Sequence, residues 1–338
     1  MALRVSIVGA GVAGLTCALE LAARGAQVEV LERAAGPGAE ACSWWAAGML
    51  APWCEEEHAG ALVRALGEEG LGWWQAHYPA TVQRGSLVLA HERDAAELRQ
   101  FALRTTAHRA CDAQDLRLLE PELADRFSRG LYFAAEAHLD PRLALAALLE
   151  QLQARGVALR WQTPWDGRPR AGRLLIDCRG LAARDRWPQL RGVRGESLLL
   201  SLPELSLQRP VRILHPRLPL YVVPRGAGRF VVGATQLESD AAGPISARSM
   251  LELLTAAYAL HPAFGEAQLL EVGCGVRPAL PDNQPHVRRD GDLLSVNGLY
   301  RHGFLIAPAL ARRVADYLLE GRDISEVMDE DHGERRLA

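Results

Sequence analysis

The segment from Val5 to Arg33, VSIVGAGVAGLTCALELAARGAQVEVLER, constrains the fold more than any other part of the chain. An apolar strand meets a turn with the spacing G-x-G-x-x-G, and an amphipathic helix and a second apolar strand follow. The first glycine permits the tight turn, the second lets the backbone approach a pyrophosphate, and the third lets the helix pack closely on the sheet. The helix N-terminus would face the phosphates. The segment therefore predicts a Rossmann-type dinucleotide-binding unit.

The candidate dinucleotide-binding residues are the glycine motif and the acidic end of the second strand. They are Gly9, Gly11, Val12, Ala13, Gly14, Glu32 and Arg33. A carboxylate at Glu32 can accept hydrogen bonds from the ribose hydroxyls of an adenine dinucleotide and would repel a 2′-phosphate. The position of Glu32 argues against NADP as the ligand, although the positive charge of Arg33 weakens that argument.

Composition sets limits on the class of protein. The chain has 338 residues, of which 49% are hydrophobic and 23% charged, and its net charge is −3. It can bury a large core, and it offers no basic surface that would attract nucleic acid. No apolar run approaches the roughly 18 residues of a membrane span, and the N-terminal run lacks the basic region of a signal peptide. We therefore expect a cytoplasmic protein without a membrane span.

The cysteines and histidines show no metal-binding pattern. The six cysteines include no C-x-x-C pair, and the ten histidines show neither H-E-x-x-H nor H-x-H spacing. We predict no bound metal and no disulfide framework.

A loop of small residues, 34–49, follows the second strand directly. Small side chains allow backbone N–H groups to approach an extended ligand, which suits a flavin dinucleotide lying across the fold. The candidate flavin contacts in this loop are Ser43, Ala46, Ala47, Gly48 and Met49. We interpret Trp44 and Trp45 as packing or wall residues.

Two later segments add candidate flavin contacts. The apolar strand 174–178 ends at Cys178, and Gly180 just beyond it provides either another backbone approach or a simple turn. Near the C-terminus a strand and a glycine loop precede a helix that Pro308 is expected to open. Backbone donors there could contact the pyrimidine edge of a flavin. These candidates are His302, Gly303, Phe304, Leu305 and Ile306.

Several motifs together resemble one family of flavoproteins. SWWAAGMLAP, YVVPR followed by FVVGAT, GVRPALPDNQP and NGLYRHGFLIAPALA occur in the family's order along nearly the whole chain. They are similar to the glycine oxidases of thiamine biosynthesis, within the larger D-amino acid oxidase family. The resemblance implies non-covalent FAD, a mixed antiparallel substrate domain and oxidation of a small amino acid by O₂.

The resemblance also implies substrate-site residues. Arg277 matches the arginine that holds the substrate carboxylate, Tyr221 the tyrosine that helps to orient it, and Arg301 a further active-site arginine. Gln236 stands where a methionine lines the pocket in a family member, which leaves the preferred substrate open. A guanidinium suits a carboxylate because it donates two parallel hydrogen bonds. A salt bridge, a sheet aromatic and a surface arginine remain the structural alternatives for Arg277, Tyr221 and Arg301. His302 is not required as a base.

The predicted fold is α/β, with a Rossmann-type FAD-binding domain and an inserted mixed, mainly antiparallel β-sheet substrate domain. We assign residues 1–80, 140–192 and 278–338 to the first and residues 81–139 and 193–277 to the second. The predicted function is an FAD-dependent oxidase that transfers a hydride from the α carbon of glycine, or another small amine, to flavin N5.

Other functions stay open at this point. Within the class these are a sarcosine oxidase and a D-amino acid oxidase, and outside it an NAD-dependent dehydrogenase and a non-catalytic flavin-binding protein. We expect a small-molecule substrate with O₂, no nucleic acid partner, and a homo-oligomer.

Overall fold

The computed structural model describes residues 2–168, 170, 172–215 and 219–329. Its strands are β1 (Arg4–Val8), β2 (Gln27–Leu31), β3 (Met49–Leu50), β4 (Ser86–Ala90), β5 (Arg109–Asp112), β6 (Arg129–Phe133), β7 (Ala137–His138), β8 (Ala158–Arg160), β9 (Leu174–Asp177), β10 (Arg191–Ser201), β11 (Val211–Leu214), β12 (Leu220–Pro224), β13 (Arg229–Gly233), β14 (Leu237–Glu238), β15 (Gln268–Ala279), β16 (His286–Asp290) and β17 (Leu293–Asn297). Its helices are α1 (Val12–Ala23), α2 (Pro52–His77), α3 (Ala95–Arg104), α4 (Ala113–Leu119), α5 (Pro141–Ala154), α6 (Ala247–Leu260) and α7 (Gly303–Glu320). None of these helices is both long and apolar enough to cross a membrane.

The described residues divide into two compact units. Unit 1 contains the residues up to Trp44, Pro141–Val193 and the chain from Val276 onward, and unit 2 contains Trp45–Asp140 and Arg194–Gly275. The FAD-binding domain expected from the sequence includes residues 45–80, but the structure groups them with unit 2. The part of that assignment that concerns residues 330–338 lies outside the described residues.

Buried polar contacts explain why residues 45–80 belong with unit 2. The Cys54 N–H donates to Glu136 Oε1 at 2.8 Å, and Glu55 forms an ion pair with Arg212. Ala51 and Cys54 also pack in an apolar cluster with side chains of β4 and β6. Arg212 lies on β11 and Glu136 lies in the turn between β6 and β7, and both belong to segments expected in the second domain.

Unit 1 is built on a sheet with the strand order β16-β17-β9-β1-β2-β8 in the described residues. β1 pairs in parallel with β2 on one side and β9 on the other, and Val8 lies opposite both Leu31 and Asp177. Val5 and Ile7 are fully buried, and α1 packs against α5 and α7. Because neighbouring parallel strands end at the same edge, the residues that follow them gather there.

The start of α7 differs from the expectation. Pro308 was expected to open this helix, but α7 begins at Gly303 and Pro308 lies inside it. The apolar residues 304–311 are all buried, and the helix packs against α1. Burial of this run on one helix offsets the loss of one backbone hydrogen bond at the proline.

Unit 2 contains a second sheet with the order β14-β10-β13-β12-β11-β4-β6-β5 in the described residues, and β15 also pairs with β10. β11 and β4 run parallel, whereas β10, β13, β12 and β11 are successively antiparallel. One face packs on α6 and α4 through an apolar cluster that includes Leu87 and Val232. On the opposite face Val88 and Leu131 pack against α2 and α3. The predicted mixed, mainly antiparallel sheet is confirmed.

Candidate functional site

Two glycines of the motif, Gly9 and Gly14, have no room for a side chain. Gly9 has φ +103°, and a Cβ there would lie 2.7 Å from the carbonyl oxygen of Cys178. A Cβ at Gly14 would overlap the carbonyl oxygen of Gly9 itself. The tight turn and the close helix packing that the sequence indicated are therefore present at the end of β1.

Two polar side chains meet this turn. Glu32 follows β2, and its carboxylate accepts hydrogen bonds from the N–H groups of Ala10 at 2.7 Å and Ala34 at 3.0 Å. Ser43 Oγ accepts from the N–H of Val12, at the first turn of α1, at 3.2 Å. Arg33, by contrast, is exposed and lies 4.0 Å from Glu40. The structure thus brings Glu32 and Ser43 to the glycine turn and leaves Arg33 on the surface.

The start of α7 lies beside the start of α1. A Cβ added to Gly303 would be 3.6 Å from Val12 Cγ1. His302 and the residues 304–306 are buried, whereas Arg301 is half-buried. Gly180 has φ +58° and its carbonyl oxygen accepts from Asn297 Nδ2 at 2.9 Å, so it forms a turn. The predicted flavin contacts of unit 1 are therefore gathered at one end of its sheet.

The Arg277 side chain lies close enough to Cys42 for its charge to act on that thiol. Burial raises the pKa of the Cys42 thiol, and the guanidinium of Arg277 acts on that pKa in the opposite direction. Cys42 precedes Ser43, which contacts α1, so Arg277 is close to the loop that supports the glycine turn. Arg277 is itself half-buried.

In unit 2 the segment 46–49 is held by contacts to its backbone. Arg225, which is 5% exposed in its side chain, donates from Nη2 to the carbonyl oxygen of Ala47 at 2.6 Å, and its Nε lies 3.7 Å from Asp140. The Leu139 N–H donates to the carbonyl oxygen of Gly48 at 2.9 Å. Arg225 fixes this loop, a role that no pattern in the sequence indicates.

The substrate residues expected in unit 2 differ in their surroundings. Tyr221 is half-buried on β12, and its hydroxyl lies over Gly233, where a Cβ would be 2.8 Å from it. Gln236 is exposed in the segment between β13 and β14. Tyr221 therefore lies on the face of the sheet, whereas Gln236 lies beyond the end of its strand.

Unit 2 also contains a buried polar cluster around Glu136 that the sequence does not predict. Glu136 is fully buried, and burial raises its pKa to about 7. Its carboxylate accepts from Ser86 Oγ and from the Cys54 N–H. Arg212 forms its ion pair with Glu55 beside this group. No local spacing in the sequence links these residues, because they come from separate elements.

The chain is similar to known flavoproteins along most of its length. Residues 4–317 match the family of FAD dependent oxidoreductases. The chain is 53% identical, over 94% of its length and 97% of the relative, to ThiO of Rhizobium etli, a protein named for an oxidoreductase role in thiamine biosynthesis. It is 29% identical, over 96% of each chain, to a glycine oxidase of Pseudomonas aeruginosa.

A solved structure shows the same fold. The glycine oxidase of Geobacillus kaustophilus superposes with a TM-score of 0.81 at 23% identity, covering 95% of this chain and 96% of its own.

Proposed function

The chain belongs to the FAD dependent oxidoreductase family, and from this we propose that it is an oxidase that deaminates glycine or another small amino acid. It is an FAD-binding flavoprotein. The observation that carries the proposal is the similarity to ThiO of Rhizobium etli along nearly the whole chain. Glycine, O₂ and water would give glyoxylate, ammonia and hydrogen peroxide, and the imine would serve thiazole formation in thiamine biosynthesis. The expected homo-oligomer stays a prediction.

The residues of unit 1 fit the adenosine diphosphate half of FAD. Neither Gly9 nor Gly14 has room for a side chain, so backbone alone lines the turn. The first-turn N–H groups of α1 favour anionic phosphates there. The Glu32 carboxylate accepts two backbone N–H donors, and a carboxylate at this position can also accept hydrogen bonds from ribose hydroxyls. We propose that Gly9, Gly11 and Gly14 hold the diphosphate and that Glu32 binds the ribose.

We propose that backbone groups support the flavin ring. The candidates are Ala46, Ala47, Gly48, Met49, Cys178, Gly180, His302, Gly303, Phe304, Leu305 and Ile306. The N-terminal end of α7 carries a partial positive charge, which would stabilise negative charge on a reduced flavin. Bound FAD would supply the acceptor for the substrate hydride and the route by which the electrons reach O₂.

The protein's own task is to bind and orient the substrate. We propose that Arg277 binds the substrate carboxylate through two parallel hydrogen bonds, that Tyr221 orients it and that Arg301 adds a second positive charge. Positioning of the α carbon then lowers the barrier without a protein base, provided that the amine binds unprotonated. Gln236 would affect the polarity of the pocket.

The product assay tests this function directly. The purified yellow holoenzyme is mixed with glycine in air, and hydrogen peroxide, ammonia and glyoxylate are measured. We expect all three in equal amounts. A flavin-containing protein that forms none of them with glycine, sarcosine or D-alanine would be a non-catalytic flavin protein instead.

The role of Arg277 has its own test. Arg277→Ala should retain its flavin and lose about 2–5 kcal/mol of transition-state binding, a fall in kcat/KM of about 30- to 5,000-fold. Arg93→Ala is the matched control, because the side chain of Arg93 is 73% exposed and outside the candidate site. Loss of flavin from Arg277→Ala would assign Arg277 to a structural role.

A further inference from the structure

Trp45 occupies a place on the unit 2 sheet that a glycine leaves open. A Cβ added to Gly273 on β15 would overlap Cε3 of the Trp45 indole, with Cζ3 at 2.9 Å. The same Cβ would lie 2.8 Å from Ser197 Oγ on β10. The indole and the Ser197 hydroxyl therefore share one face of the sheet, and the indole needs glycine at position 273.

Tyr221 repeats this arrangement on the other side of Ser197. Ser197 lies opposite Gly233, and Gly233 lies opposite Tyr221, so these residues form one row across β10, β13 and β12. Directly opposite residues of a pleated sheet project from the same face. The Tyr221 hydroxyl leans over Gly233. The row thus places two aromatic rings over two glycines, with Ser197 between them.

The two glycines beneath the rings lie only two strands apart. Gly273 and Gly233 are separated by two strand spacings, or about 10 Å. Trp45 and Tyr221 are both half-buried, whereas Ser197 is 6% exposed. Part of each ring surface is therefore accessible, and the floor between the rings is closed. Elsewhere on this face α2 and α3 cover the sheet, so the accessible aromatic row differs from ordinary core packing.

We infer that Trp45 and Tyr221 are the two walls of a narrow cleft with Ser197 at its floor, and that Trp45 limits the substrate to a hydrogen or methyl group on its α carbon. This inference rests on the proposed function, in which Tyr221 orients the substrate. Trp45 is followed by Ala46 and then by Ala47, whose carbonyl oxygen accepts a hydrogen bond from Arg225. A change at the indole would therefore act on the size of the substrate and leave the support of the loop in place.

Two variants change the width of the cleft in opposite directions. Trp45→Ala removes the indole, and we expect the ratio of kcat/KM for D-leucine to that for glycine to rise at least tenfold, because even one methylene is worth about 10- to 200-fold in a hydrophobic pocket. Gly273→Ala pushes the indole off β15 toward the cleft and should lower the D-alanine to glycine ratio severalfold. Trp44→Ala is the matched control, because Trp44 stacks on Arg142 at 4.6 Å and is not part of the row.

The decisive experiment separates this inference from the proposed function. First, anaerobic reduction of the wild-type holoenzyme by glycine tests the function. Then the binding of acetate and of 4-methylpentanoate, two carboxylates that cannot be oxidised by amine chemistry, is measured through the flavin spectrum. Trp45→Ala should favour 4-methylpentanoate over acetate by at least tenfold relative to wild type, even if glycine is not the substrate. Unchanged binding and rate ratios in both variants, within twofold, would make Trp45 a packing residue and overturn the inference.

Discussion

The glycine turn of unit 1 and the aromatic row of unit 2 both depend on a glycine whose missing side chain leaves space for another group. The two regions differ in which group fills that space. At Gly14 the missing side chain admits a backbone carbonyl five residues earlier in the chain, that of Gly9. At Gly273 it admits the ring of Trp45, which lies far away in the sequence. A backbone partner is visible as a local motif, whereas a side-chain partner becomes visible only when distant strands are paired. The turn can therefore be recognised from the sequence alone, whereas the row can be recognised only from the paired strands.

The largest expected effect concerns the buried ion pair of unit 2, because side chains from distant elements hold this unit together. Arg212→Met leaves the largely buried Glu55 carboxylate without its guanidinium, and we expect a loss of about 3–5 kcal/mol in the free energy of unfolding. Urea unfolding of wild type and Arg212→Met measures this loss. Replacing both residues by Met should restore most of the loss.

The matched control for this prediction is Arg117→Met, which removes an exposed ion pair with Asp125 and should change stability by less than about 0.5 kcal/mol. Equal effects of the exposed and the buried substitutions would contradict the account of unit 2.

The second largest effect is expected at Gly14, where the neighbouring group is a backbone carbonyl that cannot move. Gly14→Ala places a methyl group against the Gly9 carbonyl, which cannot move without breaking the turn, so we expect a loss of about 3 kcal/mol and of most of the bound flavin. The absorbance of the purified protein near the flavin band reports the flavin content. Gly38→Ala is the control, since nothing lies within 4 Å of a Cβ there. Full flavin occupancy in Gly14→Ala would show that the close packing is dispensable.

A third prediction concerns pH. The folded-state pKa of Glu136 is raised to about 7 from 4.5, so the folded state binds the proton more tightly than the unfolded state. The free energy of unfolding therefore falls as pH rises from about 4.5 to about 7, by on the order of 3 kcal/mol for this group. Glu136→Gln should remove that fall, so that the variant gains on wild type as pH rises through this window.

Urea unfolding at pH 5, 6, 7 and 8 measures the Glu136 effect. The control is Asp125→Asn, because the Asp125 side chain is 92% exposed. A difference between Glu136→Gln and wild type that is constant over these pH values would contradict the raised pKa.

The smallest effect is expected at Gly273, where the neighbouring group is the movable side chain of Trp45. Gly273→Ala places its methyl group against a ring that can rotate away, so we expect a loss of only about 1 kcal/mol in stability, well below that of Gly14→Ala. Thermal unfolding compares the two variants. A loss of stability in Gly273→Ala as large as that in Gly14→Ala would contradict the difference between a movable side-chain neighbour and a fixed backbone neighbour.

The sequence predicts what depends on neighbours along the chain. The glycine turn, the position of Glu32 after β2 and the mixed sheet of unit 2 follow from motif, periodicity and a family resemblance. The start of α7 cannot be predicted in this way, because burial of residues 304–311 outweighs the local signal of Pro308. Nor can the placement of residues 45–80, which depends on pairing with strands much later in the chain.

The same limit applies to the candidate site. Arg225 and Ser197 carry no local signature, since their importance comes from the carbonyl of Ala47 and from the row across β10 and β13. Trp45 was recognised only as a wall or packing residue. Its partner Gly273 cannot be inferred without the structure, because no spacing rule joins positions so far apart.

The most direct test of the proposed activity is to mix the purified protein with glycine without oxygen while its visible spectrum is recorded, and then to admit air. We expect the yellow colour to bleach in the anaerobic step and to return with air as hydrogen peroxide forms. A yellow protein whose spectrum neither glycine, sarcosine nor D-alanine changes would contradict the proposed oxidase, and a colourless protein that binds no added FAD would contradict the flavoprotein assignment itself.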